Sequence, residues 1–317
     1  MFSGTAFALA AGLLWGLVFV APLLLPEYPA ALLTVGRYLA FGLVALPLAW
    51  LDRERIRALS ASDWIEAGKL ALVGNLLYYM CLAAAIQRAG GPLPTMIIGT
   101  LPVVIALASN RRNRERDGQL PWQRLLPSLA LIAGGILLVN HAELAHLGAR
   151  TDAPTYALGA LLAVGAVICW TWYPIRNADW LRAHPDRSPS TWATAQGLAT
   201  LPLAAVGLAG LWAWTAGVGP IGVELPLGPR PWAFAGLMLA IGLLASWVGT
   251  LCWNEASQRL PTNIAGQLIV FETLAALAYA FMLRGAAPAG SALAGVALLV
   301  AGVMWALRSP APRTAAG

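Results

Sequence analysis

Runs of about twenty consecutive apolar residues recur along nearly the whole chain, and nothing else in the sequence restricts its fold as strongly. At 1.5 Å of rise per residue, such a run crosses the hydrocarbon core of a bilayer as a helix. In that core no water satisfies backbone N–H and C=O groups, so each run must close its hydrogen bonds within itself. The residues are 59% hydrophobic and only 11% charged, where a soluble protein carries about 25% charged residues. The chain is therefore read as an all-α polytopic membrane protein.

Ten spans are expected, at 4–24, 30–50, 64–87, 93–110, 124–141, 154–176, 190–213, 231–255, 262–283 and 288–307. Breaks fall at Pro26 and Pro29, Gly90-Gly91-Pro92, Pro185 and Pro189, Gly228-Pro229 and Pro288, residues that punctuate helices. The first run is too long for a signal-peptide core and follows no basic segment, so it reads as the first span. Cys81, Cys169 and Cys252 all lie inside apolar runs, an odd and scattered set that reads as packing rather than as disulfides or a zinc site.

An even number of spans places both termini on one side. Of the 20 Lys and Arg, Arg37 and Lys69 lie within apolar runs, and Arg88, Arg150, Arg230 and Arg284 lie on the side opposite the termini. The remaining arginines all fall on the terminal side, so the positive-inside bias makes both termini cytoplasmic. The net charge of +6 is accounted for by these loops facing an anionic leaflet and calls for no nucleic-acid partner. Trp50, Trp64, Trp122, Trp180, Trp192, Trp212, Trp214, Trp232 and Trp305 fall near span ends, as interfacial belts do; Trp15, Trp170, Trp172 and Trp247 do not.

The sequence also repeats. Leu93-Pro94-Thr95-x-Ile97-x-Gly99-x-Leu101 returns as Leu260-Pro261-Thr262-x-Ile264-x-Gly266-x-Leu268. Cys81, Ala85, Gln87 and Arg88 align with Cys252, Ala256, Gln258 and Arg259, Trp15 with Trp170, and Leu46-Pro47 with Leu201-Pro202. The matches are collinear, which divides the chain into five-helix repeats at 1–150 and 151–317. An odd number of spans per unit inverts the second unit, the 5+5 inverted repeat that lets two bundles rock around a shared site.

Several of these residues resemble the EamA-like family of the drug/metabolite transporter superfamily. Trp15-Gly16 is similar to its first-span Trp-Gly, and Trp170 to the partner in the sixth span. Gly36-Arg37-Tyr38 resembles its second-span Arg-aromatic pair, Leu101-Pro102-Val103 its fourth span, Glu272 its ninth-span acid, and Gly295 and Gly302 its last-span glycines. The family commonly has Pro after that acid and Gly-Glu near the end of the same span; this chain has Thr273 and Gly285-Ala286. The resemblance implies a ten-helix inner-membrane permease, often one for efflux of metabolites or amphipathic compounds, and names no single substrate.

Ionisable groups within a bilayer are costly and mark candidate sites. Glu272, near the middle of its span, can bind a cationic group or carry a coupling proton, or can be a protonated or hydrogen-bonded Glu that holds helices together. Arg37, about 10 Å deep in the second span, can hold an anionic group, pair with Glu272, act as a structural counter-ion, or snorkel outward. Trp15, Asn75, Tyr78, Tyr79, Trp170, Tyr173, Trp247 and Gln267 complete the candidate substrate and coupling set, as residues able to line a cavity with stacking faces and hydrogen-bonding groups. The same residues can instead join helix to helix. Glu66 with Lys69, and Glu255 with Arg259, have the spacing of interfacial ion pairs.

A secondary transporter exporting a small molecule by alternating access is the expected function, with the proton as candidate coupling ion and no cofactor, catalytic residue or metal. Its partners are then the substrate and the lipid bilayer, and the oligomeric state stays open between monomer and homodimer. The alternative is a membrane-embedded enzyme acting on a lipid-like substrate. Against it, His141, His146 and His184 sit at span edges or in loops without a His-Glu-x-x-His pattern, and His141, Glu143 and His146 make only a weak metal-ligand set.

Overall fold

The computed structural model describes residues 2–112, 122–147, 152–260, 262–285 and 287–307, and among them there is no strand. The helices are α1 (Phe2–Leu24, with a 3-10 turn inside), α2 (Ala30–Leu51), α3 (Ala61–Ala89), α4 (Pro92–Ile98), α5 (Leu101–Arg112) and α6 (Trp122–Leu147). They continue as α7 (Ala153–Ala183), α8 (Pro189–Gly217), α9 (Pro231–Arg259), α10 (Thr262–Leu268), α11 (Val270–Arg284) and α12 (Gly290–Leu307). Six of these, α1, α2, α3, α7, α8 and α9, are long and apolar enough to cross a membrane; shorter apolar stretches occupy Leu93–Ala108, Leu126–Gly135 and Gly290–Gly302.

Local chemistry sets the ends. Ser60 and Asp63 form a reciprocal capping box at the start of α3, and the Asp152 carboxylate accepts from the Thr155 N–H at the start of α7. Pro189 and Pro231 open α8 and α9, where a missing N–H costs no helical bond. Gly285, at φ +60°, ends α11 in the left-handed conformation that glycine tolerates.

The fourth apolar run is broken at Gly99-Thr100. Pro102 explains the position, because its ring cannot follow a continuous helix at residue 98. The ninth run is broken at Ile269, so α10 and α11 are likewise two halves. Two further irregularities are wide π turns, at Leu70–Leu77 within α3 and Gly242–Val248 within α9. Each loosens the hydrogen-bond ladder of a long helix at mid-length.

Packing is pairwise. α1 lies against α9 and α11, while α7 lies against α3, α4 and α5; α2 packs on α8, and α6 on α12. Close approach depends on Gly12 and Gly16 of α1. A Cβ on Gly12 would lie 2.9 Å from the Glu272 backbone nitrogen, and one on Gly16 would lie 2.6 Å from the Ala275 Cβ. Most large side chains left exposed are apolar, among them Leu43, Trp50, Leu161, Ile168 and Val206. Such a surface is stable against lipid rather than water.

The belt expectation needs correction at two positions. Trp180 and Trp192 are buried and stacked on each other at 3.4 Å between ring centroids, so they serve the interior rather than an interface. Their place near span ends was visible in the sequence, but the direction in which the rings point follows from how α7 and α8 meet.

At the opposite end of the bundle, residues 218–230 fold over the α1–α2 turn. Tyr28 donates to the Leu227 carbonyl, accepts from the Arg230 N–H and stacks on Phe234. Gly228, at φ +66°, lies so close to the Tyr28 ring that a Cβ there would be 2.5 Å away. Arg230 donates to the Glu27 carboxylate and to the Leu24 carbonyl. The hydrogen bond from Arg230 holds the Glu27 carboxyl below its ordinary value of 4.5.

Two outcomes are expected. Gly16→Leu forces α1 away from α11 and lowers stability by about 1–3 kcal/mol through overpacking, read as an earlier thermal melt in detergent. Because the folded Glu27 value is depressed, the Glu27–Arg230 contribution is complete above pH 4.5 and is lost as pH falls through the lower folded value. Amide exchange in residues 218–230, measured as a function of pH and corrected for intrinsic rates, should rise in that acid window in the wild type and be insensitive to it in Glu27→Gln.

Candidate functional site

Glu272 stands in the first turn of α11, just after the break at Ile269, and is fully buried. The N-terminal turn of a half-helix carries partial positive charge, which favours a carboxylate there. Two donors from different helices hold it. Tyr78 of α3 donates its hydroxyl to Oε1 at 3.1 Å, and Trp170 of α7 donates Nε1–H to Oε2 at 3.2 Å.

Those donors belong to an aromatic pile. Trp170 is sandwiched between Tyr78, at 4.4 Å and 17°, and Tyr173, at 4.8 Å and 2°. Trp15 of α1 meets Trp170 edge-on at 5.0 Å and 76°. Offset stacks and edge contacts of this kind orient rings as well as bury them. The α3 residues of the pile reach their place through the π turn that ends at Leu77, one residue before Tyr78.

Arg37 of α2 is 4% exposed, and its guanidinium lies over the rings of Tyr79 (4.5 Å) and Tyr38 (4.8 Å). Its Nε donates to Ser246 Oγ, in the π turn of α9, at 3.0 Å. One terminal nitrogen, Nη1, has no hydrogen-bond partner among the described residues. The expected option of an Arg37–Glu272 pair is not realised: among the described residues no salt bridge joins them, and each is held by aromatic and hydroxyl groups instead.

The structure thus brings together Trp15, Tyr78, Trp170, Tyr173 and Glu272, with Arg37 and Tyr79 as a neighbouring charged and aromatic group. Tyr79 is tied to α1 through the Val18 carbonyl. Asn75 and Trp247 hold helices: Asn75 donates to Thr200 at 3.2 Å and Trp247 to Thr194 at 3.1 Å, both on α8. Gln267 is on α10, but its side chain lies outside what the structure describes, as do those of Glu143 and His146.

Sequence reasoning reached Gln196 and Asn254 as polar residues able to line a cavity or join helices, but missed Asn177, which links them. The Tyr173 hydroxyl donates to Gln196, whose amide donates to Asn177 Oδ1; Trp192 also donates to Asn177 Oδ1, and Asn177 donates to Asn254. Asn177 is fully buried and joins α7, α8 and α9. The signal was available, since Asn177 lies four residues after Tyr173, on the same helical face.

At the Ser60 end of the bundle, Glu66 accepts two hydrogen bonds from Arg176, both at 2.8 Å, while Lys69 stands farther off at 3.5 Å. The expected Glu66–Lys69 pair is present, but its principal member is Arg176 of α7, a long-range bidentate contact. Glu255 and Arg259 pair as expected. Trp180 donates to Asp63 at 3.1 Å, and Arg112 pairs with Asp179 at 3.1 Å. Together these close α3, α5 and α7 against one another.

A buried carboxyl ringed by aromatic donors between helices of a lipid-exposed bundle is an arrangement suited to binding and releasing small molecules within a membrane. The comparisons with known proteins agree with that class. Residues 2–140 match the model of the EamA-like transporter family. The chain belongs to that family and is a membrane transporter of the drug/metabolite type. It is 54% identical over 309 residues to the inner membrane protein YtfF of Escherichia coli (strain K12), covering 98% of this chain and 96% of that one. A solved crystal structure, 21% identical, shares the fold with a TM-score of 0.67 across 96% of this chain and 97% of the other.

Trp170→Phe keeps the stack and removes the indole donor. Leaving one buried carboxyl oxygen without that bond is expected to cost about 1–3 kcal/mol, seen as a lowered melting temperature in detergent. A Tyr173→Phe variant, whose hydroxyl does not reach Glu272, should leave the Glu272 hydrogen bonds intact in a vibrational spectrum of the carboxyl group.

Proposed function

We propose that this protein is a secondary transporter of ten spans, arranged as a 5+5 inverted repeat with units 1–150 and 151–317, that moves a small metabolite or amphipathic compound by alternating access. The observation that carries this reading is the position of Glu272: it is fully buried and held by one donor from each proposed unit, Tyr78 and Trp170. A group gripped from both sides feels any rocking of one unit against the other.

Several features support the inverted repeat. Exchanging the units (α1 with α7, α2 with α8, α3 with α9, α4 and α5 with α10 and α11, α6 with α12) leaves the principal packed pairs unchanged. The two π turns occupy corresponding stretches of α3 and α9, the two broken helices are partners, and Pro47 and Pro202 sit inside partner helices. In the orientation given by the arginine bias, the termini and the Glu66–Arg176 bridge face the cytoplasm, and the Tyr28–Arg230 clasp faces outward.

In this mechanism Glu272 binds a cationic group of the substrate or exchanges a proton, and Arg37, with its unpartnered nitrogen, takes an anionic group. Export is the direction favoured by family resemblance. Opening toward the cytoplasm requires release of Glu66 from Arg176; opening outward requires release of the Tyr28 clasp.

Glu272→Gln should preserve folding and reduce flux in proteoliposomes by more than about tenfold, the scale on which loss of one charged hydrogen bond acts. Flux at the wild-type rate would remove Glu272 from the mechanism. Product formation without vectorial movement would instead favour a membrane-embedded enzyme.

A further inference from the structure

Near the Ser60 end of the bundle, α3 presents different chemistry on two sides. Asp63 and Glu66 turn toward α7, where Trp180 and Arg176 donate to them. Ile65, Gly68, Lys69 and Leu72, at helical spacings of three and four, share another face. With Leu198 and Pro202 of α8 they line a crevice of about 530 Å³, a size within the range of about 300–1,000 Å³ typical of small-molecule sites.

The crevice opens where the two helices cannot close on each other. Gly68 has no side chain, and a Cβ there would meet nothing within 4 Å. Leu72 stands in the π turn of α3, and Pro202 interrupts the hydrogen-bond ladder of α8. Ile65 and Leu72 are exposed, so the crevice is continuous with the apolar outer surface. A hydrocarbon chain can lie along it without displacing a hydrogen bond.

Lys69 is the one charged residue among those that line the crevice, and its side chain is 55% exposed. Its acid, Glu66, stands 3.5 Å away and already accepts from Arg176 with both oxygens at 2.8 Å. One carboxylate thus faces two cations, which leaves positive charge in excess at the edge of the crevice. Helical side chains lean toward the N-terminus of their helix, here the Ser60 end, and lysine carries its ammonium to the interface on an apolar stem. Trp64 also lines the crevice, half-buried and about 8 Å nearer that end, as an indole at headgroup level would be. The helical turn Arg53–Arg57 packs on α8 and adds exposed Arg53, Arg55 and Arg57 against Asp52 and Glu54. By contrast, the crevice between α2 and α9 around Gly36 and Phe234 is lined by apolar residues throughout and offers a headgroup no charge.

A zwitterionic headgroup brings its own cation to this excess positive charge, whereas an anionic headgroup brings none. We propose that the α3–α8 crevice binds one anionic phospholipid of the leaflet at the Ser60 end, with an acyl chain along Gly68 and the phosphate on Lys69. The site is separate from Glu272 and requires only that the chain spans a membrane.

To test this, the full-length protein in a neutral detergent is titrated with dioleoyl phosphatidylglycerol and, separately, with dioleoyl phosphatidylcholine. Bound lipids are counted by native mass spectrometry. The wild type is expected to take its first phosphatidylglycerol about fivefold more tightly than phosphatidylcholine, the scale on which one lysine acts beside an anionic headgroup. Lys69→Gln should remove that preference, and Lys69→Arg should keep it. Gly68→Leu fills open space and raises helix propensity, so it should weaken the first phosphatidylglycerol by a similar factor at an undiminished melting temperature. Equal affinity for the two lipids in the wild type would overturn the proposal, as would a preference that outlives Lys69→Gln or a first lipid indifferent to Gly68→Leu. Glu272 lies outside the crevice, so Glu272→Gln should leave the lipid preference in place whatever it does to flux.

Discussion

A carboxyl group with no exposure must be hydrogen-bonded, and in a bilayer the requirement is severe because no solvent stands in for a missing partner. Glu272 meets it with a phenol from α3 and an indole from α7. Much of the surrounding architecture follows from bringing those two donors to one point. α1 approaches α11 closely enough to seal the carboxyl only because Gly12 and Gly16 carry no side chain. The stack Tyr78–Trp170–Tyr173 then fixes the ring planes, and Tyr173 passes the constraint on to Gln196 and Asn177.

The second buried ionisable group, Arg37, is held differently. Arg37 is stabilised by the faces of Tyr38 and Tyr79 and by the Ser246 hydroxyl rather than by an acid. Arg37 and Glu272 share no salt bridge among the described residues: both carboxyl oxygens of Glu272 are taken by Tyr78 and Trp170, whereas Arg37 keeps one terminal nitrogen, Nη1, without a hydrogen-bond partner there. Regular helix is also relaxed around these groups. Ser246 lies in a π turn, Tyr78 directly follows one, and Glu272 stands in the first turn after a helix break. These irregularities mark the parts of long helices that bend most readily.

Much of the fold was legible along the chain, since hydropathy runs place helices whatever their neighbours are. Helices occur at all ten expected places, and Glu272, Trp15, Tyr78, Trp170 and Tyr173 were candidates before any contact was known. The choice between lining a site and joining helices was not legible. Asn75 and Asn177 have the same chemistry, yet Asn75 makes a single bond to Thr200 while Asn177 is the hub of three helices. Arg176 read as one positive charge in a loop count, whereas it is the bidentate partner of Glu66 across 110 positions of sequence.

The sequence by itself determined that the chain lives in a membrane and where its helices run, because each of these depends on the period and length of apolar segments. Tertiary structure decided which polar groups meet. A helix offers a polar residue every direction around its axis, and only the rotation of each helix against its neighbours selects one. That rotation turned Trp180 and Trp192 inward from an expected belt, kept Arg37 from Glu272, and left Trp253 Nε1 and Ser257 Oγ without a hydrogen-bond partner among the described residues.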